Sequence, residues 1–170
     1  MRKRLNGIAK MQSMILSSNG WQASQDPLEI GIKSYTIPGT KIKLRCSEGA
    51  APLLITFAAE FHAHVEPIDE GNLDDWGYAF RNIRGSTNRL SNHSSGTAID
   101  LNATRHPLGH AGTFKPMQIV LIQALCKKYA LRWGGNYRNR LDEMHYEIDL
   151  TPAKAEALIT KLNLRTEVKV

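Results

Sequence analysis

The spacing of a few polar residues constrains this chain more than any bulk property. Ser91-Asn92-His93-Ser94-Ser95-Gly96-Thr97-Ala98-Ile99-Asp100 is answered much later by Asp142-Glu143-Met144-His145. A fold that uses His93, Asp100 and His145 together must bring distant segments to one point. Two neutral imidazoles and a carboxylate give a metal three N/O ligands and leave a fourth position for water, the donor set of a catalytic zinc site. Structural zinc sites close with four protein ligands and favour Cys. A spare carboxylate three residues before the last histidine is the proton acceptor that an activated water needs.

Local patterns place these residues. Thr97–Leu101 is β-branched and apolar and reads as a short strand, with His93 in the polar loop that feeds it. Gly96 lets the backbone turn between the two ligands. Met144–Leu150 reads as a second strand, with His145, Glu147 and Asp149 on one face and apolar residues on the other. Glu147 is then placed to orient a ligand or to accept from substrate. Taken singly, each of these residues is an ordinary loop or surface group; the joint pattern is what carries weight.

With these residues quoted, the chain resembles a known family. Ser91-x-His93-x-x-Gly96-x-Ala98-x-Asp100, then Asp142-x-x-His145-Tyr146-Glu147, is similar to the zinc D-alanyl-D-alanine carboxypeptidases and L-alanyl-D-glutamate endopeptidases of peptidase family M15. That group includes vancomycin-resistance D,D-peptidases and bacteriophage endolysins. The likeness extends back through Trp76–Gly85 and takes in Trp133-Gly134-Gly135, about residues 50 to 150. Gly20-Trp21-x-Ala23-Ser24 and Tyr35–Thr40 are most similar to the phage endolysin peptidase domains.

The resemblance implies an α+β fold, a small antiparallel sheet flanked by helices of the Hedgehog-like D,D-peptidase type. It makes His93, Asp100 and His145 ligands of one zinc ion, Asp142 the general base with Glu143 the neighbouring alternative, and Arg81 the arginine that reaches the scissile carbonyl. Arg84 is the second candidate there, or a binder of a substrate carboxylate. Ser91, Ser94 and Ser95 are expected to bond loop backbone and the groups behind the ligands, not to act as nucleophiles. The implied activity is hydrolysis of a peptidoglycan stem-peptide amide, L-alanyl-D-glutamate first and D-alanyl-D-alanine second. A non-catalytic, zinc-stabilised wall-binding module is the alternative from another class.

Composition bounds the rest. A chain of 170 residues suits one domain, read as a basic lead-in over 1–19 and a single peptidase domain over 20–170. The net charge of +6 is uneven, since residues 51–75 carry six acids and no Lys or Arg. A basic surface favours anionic polymers, and without a recognisable nucleic-acid motif the expected partner is peptidoglycan. The segment after Met1-Arg2-Lys3-Arg4 is too short and polar for a signal peptide, and no stretch suits a membrane span. The expectation is a monomer made in the cytoplasm and, by the resemblance, released to the wall by a holin. Cys46 and Cys126 match no metal spacing and are expected to be reduced structural thiols.

Glu29–Ile37 and Thr40–Cys46 read as a hairpin around Pro38-Gly39. Pro52–Val65 sets Leu54, Phe57, Ala58, Phe61 and Val65 on one helical face. His62 and His64 lie about 200° apart on that helix and cannot share a metal. Helices are also expected over Pro116–Leu131 and from Thr151-Pro152 to Leu162, with a frayed tail from Asn163. His106 and His110, in the loop Thr104–Thr113, read as solvated, with a possible place on a cleft rim.

Overall fold

The expected hairpin forms as Ile32–Thr36 (β1) and Lys43–Ser47 (β2), antiparallel, in register from Ile32↔Ser47 to Thr36↔Lys43. These facts come from a computed structural model, which describes residues 14–68 and 71–165. Most of the basic lead-in, the end of the tail and two of the acids, Asp69 and Glu70, lie outside the described residues. Glu29 is not in the hairpin. Pro27–Ile30 is a 3-10 turn because the Asp26 side chain accepts from the Leu28 amide at 2.9 Å and proline opens the turn.

Helix α1 (Ala51–His64) follows directly, with Pro52 in its first turn. Its expected apolar stripe is buried throughout, but Leu53 and Ile55 are buried too. Burial on more than one side marks α1 as the central helix. Each fully covered Phe on it contributes about 1.5–3 kcal/mol. His62 is half-buried, accepting from the Ile68 amide at 3.0 Å, and His64 is exposed.

Ala98–Asp100 (β3), Leu131–Trp133 (β4) and His145–Ile148 (β5) form an antiparallel sheet in the order β3-β5-β4. Both expected strands here are shorter than their sequence patterns. Asp149 lies beyond β5 and is exposed, so only His145 and Glu147 share the inward polar face. On the opposite face Tyr146 packs between Phe57 and Phe61, with ring centroids 4.7 and 5.7 Å away. β5 is covered on both faces, which is why all four of its residues are buried.

Helix α2 (Pro116–Tyr129) is shorter than expected because Ala130 takes a left-handed conformation (φ 51°) and turns the chain into β4. Helix α3 (Pro152–Lys161) ends near the expected point. The described part of the tail is tied down: Leu164 donates to Ile159 O at 3.0 Å and packs on the core. Cys46 and Cys126 are buried and free. The architecture is α+β. Among the described residues no helix is long and apolar enough to cross a membrane.

Candidate metal centre and cleft

Sheet register builds the centre. Asp100 and His145 are direct partners across β3 and β5, so pleating turns both side chains to the same face. His93 arrives from the 3-10 turn Asn92–Ser95, capped by Ser91, whose hydroxyl accepts from the His93 amide at 3.3 Å. Gly96 closes that turn at φ 65°, and a Cβ there would lie 2.6 Å from the Ser47 amide nitrogen. No other residue fits, so glycine sets the approach of His93 to β3.

The three candidate ligand atoms converge. His93 Nε2 lies 3.2 Å from Asp100 Oδ1 and 3.2 Å from His145 Nδ1, and the latter is 2.8 Å from Asp100 Oδ1. A tetrahedral zinc with ligands at about 2.0–2.1 Å spaces them by about 3.3 Å. All three residues are buried.

The second ring nitrogens decide the chemistry. His93 Nδ1 lies 2.7 Å from Gly77 O, a carbonyl that can only accept. Gly77 is confined because a Cβ would sit 2.2 Å from Arg45 O. His145 Nε2 lies 3.1 Å from Glu147 Oε2. In the neutral rings both of these nitrogens are donors, which turns the other two lone pairs on each other and on Asp100. Such an arrangement calls for a cation among the three atoms, a metal ion or a proton on His145. Burial opposes charge on His145, yet its hydrogen bonds to Asp100 and Glu147 and their charges raise its pKa to about 10. Those negative surroundings favour a divalent cation in the same way. The donor set fits a metal.

Glu147 is fully engaged behind the ligands. Besides His145 it accepts from Asn92 Nδ2, Tyr137 OH at 2.8 Å and Arg132 Nε at 2.6 Å. Burial raises its pKa, but these bonds and charges outweigh it and bring the value to about 2. It holds the His145 ring in place and has little left to offer a substrate. Asn92, Arg132 and Tyr137 had no role in the sequence reading. Arg132↔Glu147 is a sheet pair, so strand register was the missing signal.

The two adjacent acids part company. Glu143 is buried and accepts from the amides of Gly112 and Thr113 at 2.8 and 2.9 Å and from the Thr113 hydroxyl. Burial disfavours its charge, but these donors hold its pKa below the usual carboxylate range. Asp142 faces the cleft, and its buried Oδ1 has no partner. Burial, with the charge of Asp100 adding, pushes its pKa up, against the pull of His145, His93 and Arg84.

Thr113 also reaches His106 Nδ1 at 2.7 Å, and His106 Nε2 reaches Glu66 Oε1 at 2.9 Å. His106 is therefore not solvated: it is buried, stacked on Phe114 at 3.7 Å, and latches the loop Thr104–Thr113. Of its polar contacts Thr113 lies at the end of the same loop and Glu66 in a remote segment, and no local pattern announced the pair. His110 is exposed, and Leu108 brings the loop to the cleft wall.

Arg81 lines the same cleft, its backbone fixed by Ser94: Arg81 N donates to Ser94 Oγ at 2.9 Å and Ser94 Oγ to Arg81 O at 2.8 Å. Arg84 lines it as well and is exposed. Ser17 and Asn19, from the stretch read as lead-in, bond Ser95 and Thr97 at 2.8 and 2.9 Å.

The family model for D-alanyl-D-alanine carboxypeptidase matches residues 84–148. The match supports membership of peptidase family M15. The matched segment holds all three converging residues together with Asp142, Glu143 and Glu147, and begins just after Arg81. It supports a peptidase of the D-alanyl-D-alanine carboxypeptidase type, a family whose implied substrate is peptidoglycan. No curated protein and no solved structure matches the chain.

Proposed function

We propose that the chain is a zinc-dependent peptidoglycan peptidase, an endolysin-like enzyme cutting the L-alanyl-D-glutamate bond of the stem peptide. The observation that carries this reading is the set of three facing lone-pair atoms, with both imidazole tautomers fixed from behind, beside a cleft carboxylate with an unpartnered oxygen.

His93 through Nε2, Asp100 through Oδ1 and His145 through Nδ1 hold one zinc. When bound, it supplies Lewis acidity toward a water and the amide carbonyl. Asp142 takes the proton of the attacking water at Oδ1 and returns it to the departing amine. Its raised proton affinity suits a group that must keep the proton between those events. Arg81 donates to the carbonyl oxygen as negative charge gathers there. Glu147 holds His145 by the ring nitrogen away from the metal, and Ser91 and Ser94 fix the His93 turn and the Arg81 backbone. The endolysin role carries with it a monomer that a holin releases to the wall.

The description of the matching family favours a second reading, a carboxypeptidase that removes the terminal D-alanine. Mass spectrometry of purified peptidoglycan after digestion by the zinc-loaded protein separates the two. A new N-terminal D-Glu is expected, free D-Ala would establish the second reading, and an unchanged wall would leave a binding module without catalysis.

A further inference from the structure

Asp142 faces the cleft with a buried Oδ1 that has no hydrogen-bond partner among the described residues. No bond of its own aims that oxygen, so its direction is set by the backbone and by packing. The loop Thr104–Thr113 grips the chain on both sides of Asp142. Before it, Gly109 N donates to Leu141 O at 2.8 Å. After it, the Gly112 and Thr113 amides donate to the Glu143 carboxylate at 2.8 and 2.9 Å.

His106 holds this loop from behind, and two routes run from its ring to Glu143. In one, His106 Nδ1 lies 2.7 Å from the Thr113 hydroxyl, which donates to the Glu143 carboxylate. In the other, the ring stacks on Phe114 at 3.7 Å and Phe114 meets Trp133 edge-on at 6.0 Å. Trp133 Nε1 then donates to Glu143 O at 2.8 Å. On the far side, His106 Nε2 lies 2.9 Å from Glu66 Oε1. Glu66 stands just past the end of α1, where its amide donates to Phe61 O at 3.2 Å. Its carboxylate also accepts from the side-chain amide of Asn102, two residues after Asp100. Side chains thus join the central helix to the segment that carries Asp142. A hydrogen-bonded chain of this kind fixes direction, because its bonds weaken steeply off line and strengthen away from water.

Resting on the peptidase reading above, we infer that Glu66 and His106 are positioning residues for Asp142, acting through Thr113 and Glu143. Both stand outside the cleft lining. A proton acceptor must meet its water in a narrow range of geometry, so a small displacement of residues 141–143 is felt in the rate.

The test uses the zinc-loaded full chain and a soluble wall peptide, at temperatures well below Tm. His106→Ala is expected to lower kcat about tenfold, the scale of a displacement of under 1 Å, with a smaller change in KM and unchanged zinc content. Thr113→Val removes the linking hydroxyl, keeps the loop amides and should lower kcat in the same way. It carries the test if His106→Ala does not fold. Glu66→Ala should match it, and Glu66→Gln, which keeps an acceptor, should recover most of the rate. In an Asp142→Ala background each substitution should cost nothing further, since the effect runs through a carboxylate already removed. A full additional loss in that background overturns the inference, as does a lowered Tm at unchanged kcat. Amide hydrogen exchange reads the same link without hydrolysis. The Gly109, Gly112, Thr113 and Asp142 amides should all exchange faster in His106→Ala and Thr113→Val. Faster exchange confined to the loop, with Asp142 unchanged, overturns the inference. Coupled exchange in a protein that cuts no wall peptide supports the link and overturns the catalytic reading alone.

Discussion

Asp100 and His145 face each other across β3 and β5, with Asp100 Oδ1 2.8 Å from His145 Nδ1. His93 Nε2 closes the triangle, and the nitrogens behind it are fixed by Gly77 O and Glu147. Because the three facing atoms are all acceptors when both imidazoles are neutral, a metal that binds only the folded chain should stabilise it as well as permit chemistry.

One zinc per chain is therefore expected. Chelation should abolish hydrolysis and lower Tm, and added zinc should restore both. His93→Ala, Asp100→Ala and His145→Ala should each lose the metal in elemental analysis. Full hydrolysis by a demonstrably metal-free preparation would sink the mechanism.

Asp142→Ala is expected to lower kcat by about 10²–10⁴-fold while zinc stays bound, because a general base acts on water and does not hold the metal. Glu143→Ala should act differently. It removes the acceptor of two loop amides, so it should lower Tm by loosening the loop Thr104–Thr113, with a milder effect on kcat. If Glu143→Ala instead removes turnover at unchanged Tm, the two roles are reversed.

Arg81→Ala should depress kcat more than it raises KM, since charge reaches the carbonyl oxygen only as the reaction proceeds. Lysine should rescue it in part, lacking the planar fork. Arg84→Ala should mainly raise KM. Steady-state kinetics on a soluble wall peptide decides it, and an unchanged kcat in Arg81→Ala would remove that residue from the chemistry.

Glu147 links the centre to acid stability. Its pKa falls from 4.5 to about 2 on folding. A lowered carboxylate contributes stability above its unfolded value, and that contribution is lost as pH drops through the folded value. Urea unfolding of the metal-free protein should therefore show stability falling between about pH 4.5 and about pH 2. The slope should be shallower in Glu147→Gln. Identical slopes would show that another carboxylate governs the window.

The linear chain made some things readable because they are set by near neighbours. The ligand residues, the glycine that turns the chain between two of them, the prolines that open each helix and the apolar stripe of α1 all depend on residue type and short-range spacing. The choice between adjacent acids does not. Asp142 and Glu143 differ in what faces them, and Glu143 is claimed by amides some thirty residues away. His106 read as solvated because Glu66, which accepts at its Nε2, lies in another segment and the loop folds back on itself to bring Thr113 to its Nδ1. Glu147 acquired Asn92, Arg132 and Tyr137 only through the register of three strands and the turn beside them. Sequence by itself determined which groups were available to bind a metal. Tertiary structure decided which lone pairs face one another and which carboxylate is left without a partner, because hydrogen bonds over a few ångströms join residues that the chain keeps far apart.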